Sequence, residues 1–281
     1  MGYRGMPSKS IDFVILTWNS KAYVEACLAS VLGMTGFNVA VHVVDNGSTD
    51  GTCMILDAYE AASEGRLRTT KVGVNLGTTV SRNIALRAIR PTVDFVCVLD
   101  SDTVVNERAF GAMVATLETD PSIGLIGPAM RTKAGDLQLS GRNLPTLGIK
   151  LRKAVPFGPF AEEGARMEVP DTPVSGGVQE VPYLLSACWL MPRRTLGEVG
   201  LLDERIFYAP EDVDFSVRVR NAGRRVVFCP GAEIVHEYQR ISQKKMISRT
   251  NIEHVKGLAY YFRKHRYLFD SRKAYRNGEH A

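Results

Sequence analysis

The chain has 281 residues, 45% of them apolar and 23% charged, with a net charge of +5. That apolar content fills a complete core near the upper size of one domain, which excludes a disordered chain and a small disulfide-stapled scaffold. The five cysteines are odd in number, show no Cys-x-x-Cys spacing and lie mostly in apolar segments, as buried thiols in a reducing compartment would. No apolar stretch reaches the ~18 residues of a membrane span, and residues 1–10 lack an apolar run, so a cytoplasmic protein is expected.

Residues 11–17, 39–44, 67–72 and 94–99 read as strands rich in β-branched side chains, and 21–32, 52–63 and 79–89 read as helices between them. This alternation predicts an α/β fold, a parallel sheet with helices on both faces. Ligands then bind beyond the carboxyl ends of the strands. Three polar clusters fall there: Thr17-Trp18-Asn19-Ser20, Asp45-Asn46-Gly47-Ser48-Thr49-Asp50 and Asp100-Ser101-Asp102. Neither the Gly-x-Gly-x-x-Gly dinucleotide fingerprint nor a P-loop is present, which argues against a dehydrogenase or a P-loop NTPase.

Asp100 and Asp102 project to one side of an extended segment, and two anions so close repel unless a cation or a proton lies between them. Hard oxygen donors suit Mg²⁺ or Mn²⁺, ions that complete their shells with substrate phosphates; a solvated turn is the alternative. Asp45 can accept the N3–H of uracil or thymine, while the residues after it also make a good turn and helix cap. Asn75-Leu76-Gly77 forms a turn before a helix carrying Arg82, a setting suited to anions. Residues 142–179 contain five prolines and many glycines and read as one or two long loops, expected to cover an acceptor.

Pro210-Glu211-Asp212-Val213-Asp214 opens a helix expected to run to Asn221. Acids in a first helical turn suit the macrodipole, but a carboxylate facing the crevice can also take the proton of an acceptor hydroxyl, and Asp212 is the candidate. Residues 226–228 and 232–235 read as two strands with His236 at the end of the second, either a structural histidine or the third donor for the Asp pair. From Gln239 onward, eleven Lys/Arg stand against three Asp/Glu, while the preceding 238 residues carry a net −3. Val255, Leu258, Ala259, Phe262 and Phe269 follow a helical period among these cations. Such a helix suits an anionic membrane surface or packing on the body; no nucleic-acid recognition motif accompanies it.

In order, Thr17-Trp18-Asn19, Val44–Asp50, Asn75-Leu76-Gly77 with Arg82-Asn83, Asp100-Ser101-Asp102, Glu211-Asp212-Val213-Asp214 and His236 resemble the motifs of family 2 glycosyltransferases across most of the chain. The resemblance implies a nucleotide-diphospho-sugar transferase fold of the GT-A type, Rossmann-like with a mixed, mostly parallel sheet. It also implies a Mg²⁺ or Mn²⁺ ion and transfer with inversion at the anomeric carbon. Residues 1–240 would form the transferase domain, 1–105 its nucleotide-binding half and 106–240 its acceptor-binding and catalytic half, with 241–281 a basic helical extension.

Carried over by motif, Thr17, Asn19, Asp45 and Arg82 look like nucleoside contacts, and Asp100 looks like a ribose and metal-water contact. Asn75, Gly77 and Ser101 join this nucleotide-sugar set. Asp102 would be the direct metal ligand with His236, and Asp212 the general base with Glu211 beside it. Leu185-Ser186-Ala187-Cys188 falls near the donor sugar, with Ser186 in place of the family's usual glycine and Trp189 following, which implies a narrower pocket. The second half looks most like the bacterial rhamnosyltransferase branch, implying dTDP-rhamnose and a cell-wall, polysaccharide or lipid-linked acceptor. The alternatives are a UDP-hexose donor and a non-catalytic nucleotide- or glycan-binding relative. A sugar nucleotidyltransferase would need a glycine-rich basic loop after the first strand, where this chain has Trp18-Asn19-Ser20-Lys21.

Overall fold

The computed structural model describes residues 8–154, 158–170, 177–237 and 249–275. Its first half is the expected alternation: β1 (Ser10–Thr17), α1 (Val24–Leu32), β2 (Asn38–Asp45), α2 (Thr52–Ala62), β3 (Leu67–Lys71), α3 (Thr78–Ala88) and β4 (Phe95–Asp100). The order β3-β2-β1-β4 is parallel throughout. Along β1, Ile11, Phe13 and Ile15 enter one core layer and Val14 with Leu16 the other. A strand covered on both faces has no solvent side, so it reads as an unbroken apolar run. The order reverses between β1 and β4, and a crevice opens beyond their carboxyl ends, at Thr17 and Asp100.

The second half continues with β5 (Thr103–Val104), α4 (Glu107–Thr119), β6 (Ile123–Arg131), β7 (Leu137–Gln138), β8 (Gly141–Arg142), α5 (Leu147–Ala154) and α6 (Pro159–Met167). Then come β9 (Gln179–Glu180), β10 (Tyr183–Leu184), β11 (Cys188–Pro192), α7 (Arg193–Val199), α8 (Glu211–Asn221), β12 (Arg225–His236) and α9 (Arg249–His265). Strand β11 enters antiparallel between β4 and β6, β12 lies parallel to β6, and β5 closes the edge antiparallel to β12. The result is the mixed, mostly parallel sheet of a GT-A fold. Phe13 meets Phe110 of α4 on one face at 5.2 Å between ring centroids, and Trp189 stacks on Phe215 of α8 on the other at 5.3 Å.

Two expectations change. The two short strands before His236 are one strand, β12, whose register against β6 shifts between Cys229 and Glu233 around Pro230-Gly231; proline and glycine bend a strand there without ending it. Residues 142–179 are not one irregular loop, because α5 and α6 form inside them and pack on each other. Their prolines act as borders: Pro145 precedes α5 and Pro159 opens α6, where its missing N–H costs nothing, while Pro156 and Pro173 lie outside the described residues. Over the stretch described, the C-terminal extension packs on the body, one of its two expected placements. Tyr261, Phe262, Tyr267 and Ala274 form a third core layer with Leu144, Tyr183, Val213 and Val217. Helix α9 approaches so closely at Gly257 that a Cβ there would lie 2.0 Å from the Ala209 carbonyl oxygen.

Candidate active site

The Asp-x-Asp loop and His236 meet because β5 pairs Thr103 with His236 and Val104 with Val235. Carboxylate oxygens of Asp100 and Asp102 and a ring nitrogen of His236 all lie within 4.8 Å of one another. Burial pushes the Asp100 carboxyl above its usual range against the pull of Arg82, and Asp102 adds to the rise. His236 is 4% exposed; burial disfavours its charge, but the Asp102 carboxylate, 3.4 Å from Nε2, wins and raises its pKa. On the far side of the ring Nδ1 sits 2.9 Å from Gln138 Oε1 on β7. That contact fixes the orientation of the ring and turns Nε2 toward the two carboxylates, and with the proton on Nδ1 it would give the arrangement that metal-binding imidazoles use. Two carboxylates and an oriented imidazole fit a Mg²⁺ or Mn²⁺ ion.

Arg82 ties this cluster to the acids of α8. It is 3% exposed, and it donates through one nitrogen to Asp100 Oδ1 at 2.5 Å and through the other to Glu211 Oε1 at 3.1 Å. Ser186 Oγ donates to the same Glu211 oxygen at 3.0 Å. Glu211 is buried, and burial together with the charge of Asp212 pushes its pKa up to about 8 despite those donors. Asp212 is only partly buried and takes one bond, from the Val213 N–H at 2.8 Å. Burial raises it to about 6, with Lys150 of α5 and Arg82 pulling the other way. Burial raises both, Glu211 the further, and Asp212 is the accessible member of the pair.

The remaining sequence candidates mostly brace the crevice floor. Asp45 is 1% exposed, with Oδ1 taken by Thr17 Oγ1 at 2.9 Å and by Ser48 Oγ, and Oδ2 by the Ser48 N–H at 2.9 Å and Cys53 Sγ at 3.4 Å. Burial opposes its ionisation, but these donors outweigh burial and hold its pKa down. Asn19 sits at φ +52° and clasps the same turn through Ser48 Oγ and the Thr49 N–H, each at 2.8 Å. Asn75 Oδ1 accepts from Asn46 and from the Gly77 N–H. Gly77 has φ +85°, and a Cβ on it would lie 2.3 Å from the Phe207 carbonyl oxygen, so glycine is required where α3 meets the segment leading to Glu211. Ser101 is buried and turns inward to Ser20 Oγ at 2.9 Å.

Ser186 stands at the site through its bond to Glu211. Trp189 does not narrow the pocket as expected: it is fully buried against Phe215, and its indole N–H bonds to the Leu184 carbonyl. Gln138 and Lys150 escaped sequence reasoning. Neither lies in a motif, and only the tertiary pairing of β7 with β6 and the placement of α5 bring them here.

The comparisons with known proteins agree with this geometry. The model of a family described as "Glycosyltransferase like family 2" matches residues 7–253. The chain is 32% identical over 241 residues to the N-acetylglucosaminyl-diphospho-decaprenol L-rhamnosyltransferase of Mycobacterium tuberculosis, covering 80% of this chain and 75% of that protein. Among solved structures it resembles GalNAc-T7 in complex with UDP, GalNAc and Mn²⁺, at a TM-score of 0.68 and 16% identity, over 91% of this chain and 48% of that one. It also resembles the mannosyltransferase PcManGT of Pyrobaculum calidifontis in complex with GDP-Man and Mn²⁺, at a TM-score of 0.60 and 18% identity, over 90% of this chain and 63% of that one. A GT-A sheet with a cluster of acids at its carboxyl edge, together with these matches, makes the chain a member of glycosyltransferase family 2, similar to the rhamnosyltransferases.

Proposed function

We propose that the protein transfers rhamnose from dTDP-rhamnose, with inversion, to a hydroxyl of a lipid-linked acceptor in cell-wall or polysaccharide synthesis, with Mg²⁺ or Mn²⁺ bound. The observation that carries transferase chemistry is the placement of Asp212. It is a partly exposed carboxylate raised to about 6, joined through Glu211 and Arg82 to Asp100 of the Asp-x-Asp loop. The donor and the acceptor class are supported by the 32% identity to the mycobacterial L-rhamnosyltransferase and by the decaprenol in its name.

Asp100, Asp102 and His236 would hold the ion, which when bound supplies the positive charge that a departing diphosphate needs. Asp212 accepts the proton of the acceptor hydroxyl as that oxygen attacks the anomeric carbon from the face opposite the diphosphate, and one such displacement inverts the centre. Glu211, protonated and pinned by Arg82 and Ser186, keeps a second negative charge away from Asp212 and fixes the start of α8. Thr17, Asn19 and Asp45 would line the nucleoside subsite, with Asn75 and Gly77 shaping its wall and Ser101 and Ser186 bordering the donor sugar. For Asp45 to accept a base N3–H, one of its four chain donors must yield; the Cys53 thiol, the longest at 3.4 Å, is the one to give way.

Calorimetric titration of dTDP, UDP and GDP with and without Mn²⁺ tests the donor, and NMR of the product tests the anomeric outcome. Manganese-dependent preference for dTDP and an inverted product are expected. Preference for UDP would move the donor to a UDP-hexose, since both bases share the N3–H edge, and no nucleotide binding at all would overturn the reading.

A further inference from the structure

Helix α9 has two apolar faces, and among the described residues the body covers only one. Tyr261 and Phe262 are buried in the third core layer. On another side Ile252, Val255 and Ala259 succeed one another at helical spacing, with Val255 67% exposed. This stripe borders a groove of about 1010 Å³ between α5, α9 and the segment that follows α9. Leu151, Leu268 and Phe269 add large exposed apolar surface beside it, Phe269 at 68%. Such a concentration of exposed aliphatic and aromatic surface is uncommon on a face that meets only water.

The charges along the same groove have one sign. Lys150, Arg263, Arg266 and Lys273 line it with a single acid, Asp270, which is tied by two side-chain bonds to Arg272. Lys150 is paired with Glu168 at 2.9 Å, whereas Arg263, Arg266 and Lys273 form no ion pair among the described residues. A second copy docked here about a two-fold axis would set these cations against the same cations. Apolar side chains flanked by unneutralised Lys and Arg instead match the interface of an anionic bilayer, where acyl chains take the former and lipid phosphates the latter.

We propose that the face formed by α5, α9 and the Leu268–Lys273 segment seats the protein on an anionic membrane surface. It builds on the lipid-linked acceptor proposed above and gives that acceptor a direction of approach. Lys150, whose charge acts on the Asp212 carboxyl, also lines this groove.

Flotation of the purified full chain with vesicles of phosphatidylcholine alone or with one-third phosphatidylglycerol tests this face. Binding to the anionic vesicles at least about tenfold above the neutral ones, weakened by salt, is expected. The double variant Arg266→Glu/Lys273→Glu should lower it by more than about twentyfold, since each lost cation alone costs about fivefold. Val255→Ser/Phe269→Ser should lower it by on the order of tenfold. Unchanged thermal melts keep these surface variants interpretable. Wild type that does not float, variants that float as well as wild type, or a concentration-dependent dimer abolished by Phe269→Ser would each overturn the proposal. Rhamnose transfer to a short-chain soluble acceptor, measured in parallel without vesicles, separates the two claims. A chain that floats but transfers nothing breaks the functional reading alone, and one that transfers but does not float breaks this one alone.

Discussion

Asp212 and Asp214 leave the same turn of α8, yet one faces the crevice and the other faces α9, and their chemistry diverges. Asp214 is fully buried and holds Arg218 at 2.9 Å, Lys264 at 2.5 Å and His265 at 2.8 Å. Burial alone would raise its pKa, but these partners win and keep it below the usual carboxylate range. Asp212, with one backbone donor and no ion pair among the described residues, is raised to about 6. Two identical side chains two positions apart thus become a fastener and, in the proposed reaction, a proton acceptor. Partners decide the role, and helix position does not.

The sharpest way to break this contrast is Asp212→Asn. Turnover should fall by about 10²–10⁴-fold, the range for a lost general base, while calorimetry finds donor binding unchanged. Near-normal turnover would put the base elsewhere. Gln138→Ala should weaken Mn²⁺ binding by about 10–100-fold, as losing the orienting partner of a metal-bound imidazole does, with metal-free stability preserved; paramagnetic titration reads this.

Asp214→Asn should do the reverse of Asp212→Asn. Its two cations, Arg218 and Lys264, can partly reach water, so the expected loss is about 1–3 kcal/mol of stability in urea melts, with turnover of the folded fraction reduced far less. A thousandfold loss of turnover with full stability would erase the distinction between the two acids. The smallest effect is the one that pH draws out. Because the base form is active, the rate at saturating substrate should drop about tenfold per unit below pH 6 as Asp212 takes a proton. Asp214, with its pKa depressed in the folded protein, contributes stability at neutral pH that is lost only as pH falls through that lower value. At pH 5 the enzyme should be slow and still folded, and circular dichroism beside the rate profile checks both.

How much of this was legible in the sequence follows from where each residue gets its partners. Asp100, Asp102, Asp212 and His236 end strands or open a helix, and those boundaries are written locally in apolar runs and punctuation, so their convergence could be anticipated. The burial of Glu211, the four donors around Asp45 and the inward turn of Ser101 depend on neighbours far along the chain. Helices α5 and α6 were hidden because proline was read as interruption where it marks a helix start. Trp189 looked like a pocket residue only because it is large and follows a motif; its stacking on Phe215 belongs to the sheet's far face.

The two-residue strand β5 has a consequence for assembly. By pairing Thr103 with His236 it joins the middle of the chain to the last strand of the sheet. Long-range pairings of this kind form late, because the loop between their ends must close first. The proposed metal-binding triad is therefore complete only once this last pairing has formed. Manganese affinity followed during refolding would then serve as a clock for the final strand.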